Sequence, residues 1–387
     1  MNILDAIIAW LSTALTALMI FVAALLPHPA PSTAVAPEAV ATSTTAVATT
    51  TVKAVAKPVT TPAAKKPVTT NGLAAPAPAA LGAQDAGTRG PLAGQVSLPP
   101  IVPTKSQEQI NVETRAALVN ILCLTKTGIH GVSGSGVIID SRGVILTNAH
   151  IGQYFLLRDY LTPGNVECTV RIGSPAERRY TAKLLYLPPL WVADNAAQLK
   201  ASVATGTGEH DYAFLMLTGT TDPSATLPSS FPHLVMENSY PDVGDEMLLA
   251  SYPAGFLSGE LIEKSLYASS AVAYTTRLFS FDDSQRVDLF SIGGTVLSQA
   301  GSSGGAVVRL TNGKLAGLIA TATTGESTGE RDLRAVTLSH INTSLGVQGQ
   351  GGITALLTGN LYPKITTFET SIAPLERAVL IKALSGN

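Results

Sequence analysis

From about residue 112 onward the chain is a succession of short apolar runs separated by glycine, proline and asparagine turns. Residues 118–124 read as a mostly buried strand, ended by Lys126-Thr127-Gly128. Residues 134–140 and 144–147 are joined by Ser141-Arg142-Gly143, the pattern of a β-hairpin. Residues 167–172, 180–186 and 212–217 continue the series. A second set comprises 246–252, 261–274, 286–292, 306–310, 315–322 and 335–339, with Thr311-Asn312-Gly313 as a hairpin turn. About six strands precede Thr218 and about six follow Asp245, with no helix–strand alternation, which predicts an all-β antiparallel domain. Residues 187–209 break the rhythm: 191–200 have helical spacing and read as a surface insertion. A helix is also expected at 370–384.

The N-terminal third has a different pattern. Residues 6–26 are apolar and uncharged, about 21 residues, long enough to cross a bilayer as a helix. Trp10 sits near one end, where an interfacial aromatic belongs. A cleaved signal peptide is the rival reading, but Asp5 stands where a signal carries basic residues and the run is long for a signal core. Residues 27–108 are dominated by Ala, Pro, Thr and Val. Such a segment buries too little apolar surface to offset its ordering entropy. It reads as a disordered stalk that reaches on the order of 200 Å when extended.

Composition narrows the function. Of 387 residues only 13% are charged, and the net charge is −2. A nucleic-acid binder shows a basic stripe that this chain lacks. The 34 glycines and 24 prolines agree with turn-rich β structure and a low-complexity segment. Two cysteines, Cys123 and Cys168, are too few for a disulfide scaffold or a four-cysteine zinc site. Neither a metal nor another cofactor is expected.

The candidate chemistry lies at Gly301-Ser302-Ser303-Gly304-Gly305. A small-residue turn before the apolar run 306–310 presents a hydroxyl and leaves neighbouring backbone N–H groups uncovered. A serine is a poor nucleophile without a base, and histidine is the usual one. Among six histidines, His150 stands out, at the end of the apolar strand in Leu146-Thr147-Asn148-Ala149-His150. Asp211 opens Asp211-Tyr212-Ala213-Phe214-Leu215, where an acid at the mouth of a buried strand can orient the imidazole. Taken singly, each has a bland reading as a turn or strand-end residue; their order along the chain makes them a candidate triad.

With Gly134-Ser135-Gly136-Val137-Ile138-Ile139 and Leu315-Ala316-Gly317-Leu318-Ile319 added, residues 112–345 resemble the trypsin-like serine proteases. The bacterial HtrA-type branch is the nearest in pattern. The resemblance implies two six-stranded antiparallel barrels, 109–218 and 240–345, with the site between them and 346–387 as an extension. It implies Ser303 as nucleophile, His150 as base and Asp211 as its orienting acid, with the Gly301 and Ser303 N–H groups as oxyanion hole. Ser302 is the positional rival to Ser303. It places Cys123 and Cys168 on the first and fourth strands, which close the barrel, so that a disulfide and a pair of buried thiols both remain open. The family's pocket floor corresponds to Leu297, with Ala320, Thr321 and Ala322 beside the substrate. An apolar or small residue before the scissile bond is therefore expected. The activation-site motif of the zymogen members is missing, and no length remains for a carboxy-terminal PDZ domain. The expectation is a membrane-tethered serine endopeptidase acting on proteins or peptides outside the cytoplasm, or secreted if the N-terminus is cleaved. The alternative is an inactive protease-like binding module on the cell surface.

Overall fold

The computed structural model describes residues 105–201, 206–282 and 286–386. The expected anchor at 6–26 and nearly all of the expected stalk lie outside them. No helix among the described residues is long and apolar enough to cross a membrane. The described chain opens with helix α1 (Gln107–Ala117). Ser106 caps it: its hydroxyl accepts from Gln109 N–H at 3.2 Å, and the Gln109 side chain accepts from Ser106 N–H at 2.9 Å. This reciprocal box satisfies two otherwise orphaned donors. Ile110, Thr114 and Ala117 form the buried face.

Six strands follow the expected order: β1 (Leu118–Thr125), β2 (Val132–Asp140), β3 (Val144–Thr147), β4 (Val166–Ile172), β5 (Glu177–Tyr186) and β6 (Ala213–Thr220). They close as an antiparallel barrel in the order β1-β2-β3-β6-β5-β4. The β1–β4 ladder that closes it sets Cys123 opposite Cys168. The two sulfurs are bonded at 2.08 Å, so the alternative of free thiols falls. Val119, Ile121, Ile145, Val170 and Leu215 are fully buried inside the barrel, and Val137 and Phe214 are fully buried on its outer face.

The second half departs from the expected six-stranded barrel. It is a seven-stranded sheet in the order β8-β7-β11-β12-β13-β10-β9. The strands are β7 (Glu246–Ser251), β8 (Ser269–Tyr274), β9 (Arg277–Phe279), β10 (Leu289–Gly293), β11 (Ala306–Arg309), β12 (Leu315–Ala322) and β13 (Leu333–Thr337). The run expected as one strand over 261–274 divides, because Ser258 accepts from Leu261 N–H and caps helix α2 (Gly259–Lys264). Only 269–274 remain for β8. The strand expected over 335–339 ends at Thr337, whose hydroxyl accepts from His340 N–H at 3.1 Å and caps helix α3 (Leu338–Val347).

The 187–209 insertion is not a free surface element. Helix α4 (Pro189–Asn195) and the following tight turn bury Trp191, Val192, Ala196 and Leu199. They pack against the C-terminal helix α5 (Ala373–Ser385), which buries Leu380. Phe368, just before α5, meets the Tyr186 ring edge-on at 6.4 Å. Insertion and tail thus cover one another on the first barrel.

Candidate active site

β3 and β6 are neighbours in the barrel, with Thr147 opposite Ala213. His150 lies just past the end of one strand and Asp211 just before the start of the other, so both emerge at the same rim. Asn148 has extended backbone, and a single helical turn (Ala149–Gly152) then swings His150 toward β6. The Asp211 carboxylate holds His150 twice: Oδ2 lies 2.8 Å from Nδ1, and Oδ1 accepts from the His150 backbone N–H at 3.0 Å. Asn148 Nδ2 donates to the Asp211 carbonyl at 2.8 Å, and Gln153 Nε2 to the His150 carbonyl at 3.0 Å. Burial by itself would lower the His150 pKa. The Asp211 charge and hydrogen bond outweigh it, and the net shift is upward.

The serine turn leads into β11 and leans on the first barrel. Gly304 has φ +83°, and a Cβ there would stand 2.0 Å from the Ser135 carbonyl oxygen and 2.6 Å from Thr147 Oγ1. Only glycine fits this position. Ser135, fully buried on β2, ties the turn down. Its N–H donates to the Ser303 carbonyl at 2.7 Å, and its hydroxyl donates to the Gly301 carbonyl at 2.8 Å. Tyr252 N–H donates to that same hydroxyl, while Thr147 Oγ1 donates to the Ser135 carbonyl. Thr147 is three residues before His150, so this network sets Ser303 beside the strand that delivers His150. Ser135 belongs to a motif read from the sequence, but its role was not foreseen. The signal was a lone hydroxyl between two glycines inside an apolar strand.

The two serines separate cleanly. Ser302 is buried and accepts from Ser251 Oγ at 3.0 Å. Ser303 is half-buried, and its hydroxyl has no hydrogen-bond partner among the described residues. The Ala300 carbonyl accepts from Ala254 N–H at 2.8 Å, and the Ser302 carbonyl from Gly305 N–H at 2.9 Å. Across a trans peptide the following N–H points the opposite way. The Gly301 and Ser303 N–H groups are therefore turned away from these partners, and neither has an acceptor among the described residues.

The residues expected to set specificity are not all at the cleft. Leu297 is fully buried among Phe290, Ile292, Ile319 and Leu333 in the core of the second sheet. Ala320 is also buried, and a Cβ at Gly208 would stand 3.7 Å from its Cβ, so the end of the insertion lies over it. Thr321 pairs with Arg334 in the β12–β13 ladder, and Ala322 is exposed at the strand's end. Among the described residues no group of three or more His, Cys, Asp or Glu side chains converges as metal ligands.

Residues 134–318 match a family model described as a trypsin-like peptidase domain. Among solved structures the chain is similar to the Rv3671c protease from M. tuberculosis in its active form. Identity is 19%, over 67% of this chain and 95% of that chain, with a TM-score of 0.39. It is also similar to the serine endoprotease from Yersinia pestis, at 20% identity over 63% of this chain and 65% of that chain, with a TM-score of 0.38. No curated protein matches the chain.

Proposed function

We propose, from the match of residues 134–318 to the trypsin-like peptidase domain, that the chain is a serine endopeptidase of that family and that Ser303, His150 and Asp211 are its catalytic triad. The observation that carries this reading is the double grip of Asp211 on His150, at the side chain and at the backbone. It holds the proton on Nδ1 and leaves Nε2 as the acceptor.

Ser303 Oγ attacks the scissile carbonyl carbon as His150 Nε2 takes its proton. The carbonyl oxygen becomes an oxyanion on the Gly301 and Ser303 N–H groups, each donor lowering the barrier by about 3 kcal/mol. Asp211 stabilises the imidazolium formed. His150 then gives its proton to the leaving amine, the C–N bond breaks, and an ester to Ser303 remains. Water, deprotonated by His150, attacks that ester and releases the acid, and the proton returns to Ser303.

The apolar run at 6–26 anchors this domain in a membrane, and the segment up to about residue 104 sets its reach. The Cys123–Cys168 disulfide supports a site of action outside the cytoplasm, where such bonds persist. Hydrolysis of an unfolded protein substrate by the full-length chain tests the chemistry. Ser303→Ala abolishes it and Ser302→Ala retains cleavage; equal loss in both variants overturns the assignment. Recovery of the chain in the membrane pellet after alkaline carbonate extraction tests the anchor, and full release into the supernatant overturns it.

A further inference from the structure

An acyl group attacked by Ser303 has its carbonyl oxygen on the Gly301 and Ser303 N–H groups. The side chain of the residue before the scissile bond, the P1 side chain, then enters the slot beside the turn. One wall of that slot is the segment leading into the nucleophile, through Ser298 and Ala300. The other is the exit of β12. Gly304 N–H donates to the Ile319 carbonyl and Ile319 N–H to the Gly305 carbonyl, each within 2.9 Å, so residues 320–325 run on past Ser303.

Arg331 spans these two walls. Its Nη1 donates to the Ser298 carbonyl at 3.2 Å, and its Nε donates to the Gly325 carbonyl at 3.1 Å. The loop that carries it is pinned to the end of β12, because Thr323 N–H donates to the Asp332 carbonyl and Asp332 N–H to Thr323 Oγ1. The far side of the slot is shut by backbone contact, since a Cβ at Gly294 would stand 1.9 Å from the Gly329 carbonyl oxygen. Arg331 is half-buried, and it has no carboxylate partner among the described residues. The neighbouring arginines do have one: Arg277 and Arg334 both pair with Asp332, at 3.1 and 2.9 Å. Glu330, next in sequence, turns its carboxylate onto the Glu326 N–H instead. The guanidinium carries more N–H donors than two carbonyls use, and its planar edge matches a carboxylate. Leu297 is buried in the core of the second sheet.

We infer that Arg331 is the specificity-determining residue of the slot and that the enzyme cleaves after acidic residues, aspartate or glutamate at P1. This inference rests on the peptidase reading above. A cation held on two backbone carbonyls, without a counter-charge among the described residues and beside the nucleophile turn, binds an acidic P1 side chain and disfavours a basic one.

The test is a peptide series that differs only at P1 (Asp, Glu, Asn, Leu, Ala, Lys), hydrolysed by the full-length chain, by Arg331→Gln and by Arg331→Glu, with Ser303→Ala as control. The readout is the ratio of kcat/KM for Asp or Glu over Leu and Asn. This ratio is internal to each preparation, so partial misfolding of a variant does not shift it. The native chain is expected to favour the acidic peptides by about 100-fold, the scale of losing one partner of a desolvated charge pair. Arg331→Gln brings the ratio close to one, and Arg331→Glu raises the Lys peptide above the acidic ones. Ser303-dependent cleavage without an acidic preference overturns the inference and leaves the peptidase reading standing. An acidic preference that persists in Arg331→Gln overturns the role of Arg331. Cleavage of no peptide, or cleavage that survives Ser303→Ala, overturns the peptidase reading and the inference with it.

Discussion

Among the described residues, two histidine–aspartate pairs have nearly equal geometry. His150 Nδ1 lies 2.8 Å from Asp211 Oδ2, and His340 Nδ1 lies 3.0 Å from Asp288 Oδ1. Their titration is pushed in opposite directions. For both, burial favours the neutral ring. At His150 the carboxylate outweighs burial and raises the pKa. At His340 burial outweighs the carboxylate, and the nearby His210 ring, stacked at 5.9 Å, pushes the same way. Asp288 also divides its charge, accepting from Ser280 Oγ and Phe281 N–H through Oδ2. The far nitrogens differ too. His340 Nε2 is buried with no partner, and the side chain is 9% exposed against 19% for His150. A carboxylate beside Nδ1 therefore does not by itself make a base. The far nitrogen must remain open and a hydroxyl must be delivered to it, and the serine turn docks on Ser135 and beside Thr147, next to His150 and not to His340.

The largest expected contrast between the pairs is in activity. His150→Ala lowers kcat/KM by at least about 10⁴-fold, whereas His340→Ala leaves it within a few-fold. Similar losses in steady-state kinetics of the two variants would break the distinction.

Glu376 on α5 is buried with no counter-charge among the described residues. Both its carboxylate oxygens and the Tyr186 hydroxyl are buried without partners, and burial pushes the Glu376 carboxyl up to about 8. The folded state keeps a proton that the unfolded chain loses above about pH 4.3, so this group costs stability increasingly as pH rises from there to about 8. Glu376→Gln removes that cost and stabilises the domain by about 3 kcal/mol at pH 7. Urea titrations at pH 5 and pH 7 check this, since the gain should be far smaller at pH 5.

Smaller effects follow from the two histidines. Hydrolysis needs neutral His150, whose pKa is raised, so the acid limb of the kcat/KM profile lies above pH 6.5, with about a tenfold fall per pH unit beneath it. A limb centred below pH 6.5 would mean that Asp211 does not dominate. His340 works through stability instead. Its folded pKa is lowered, so the folded state binds fewer protons than the unfolded, and stability falls as pH drops below about 6.5. His340→Gln should flatten that fall, by no more than about 1 kcal/mol for a single proton over this interval, read from the same urea titrations at pH 7 and pH 5.5.

Much of this architecture was legible along the chain, because a buried strand writes its burial into consecutive side chains. All six strands of the first barrel read within a few residues of their ends, and β12 matched at both. The apolar pattern put His150 at the end of one strand and Asp211 at the mouth of another, and the structure makes those strands neighbours and brings the side chains together. What stayed hidden depends on partners distant in sequence. The division of 261–274 turns on one capping hydroxyl at Ser258. Leu297 could be placed relative to Ser303 but not oriented, since one residue of register decides between cleft and core. Ser135 and Arg331 act through backbone carbonyls of remote segments, and no periodicity marks such contacts. The docking of the 187–209 insertion on the C-terminal helix escaped for the same reason.

The most direct test of the central claim is covalent. The full-length chain is treated with a fluorophosphonate and the modified peptide is mapped by mass spectrometry. The label is expected on Ser303 and not on Ser302, with a rate that falls as His150 becomes protonated. A folded chain that takes no label, or one labelled at another residue when Ser303 is intact, would contradict the account.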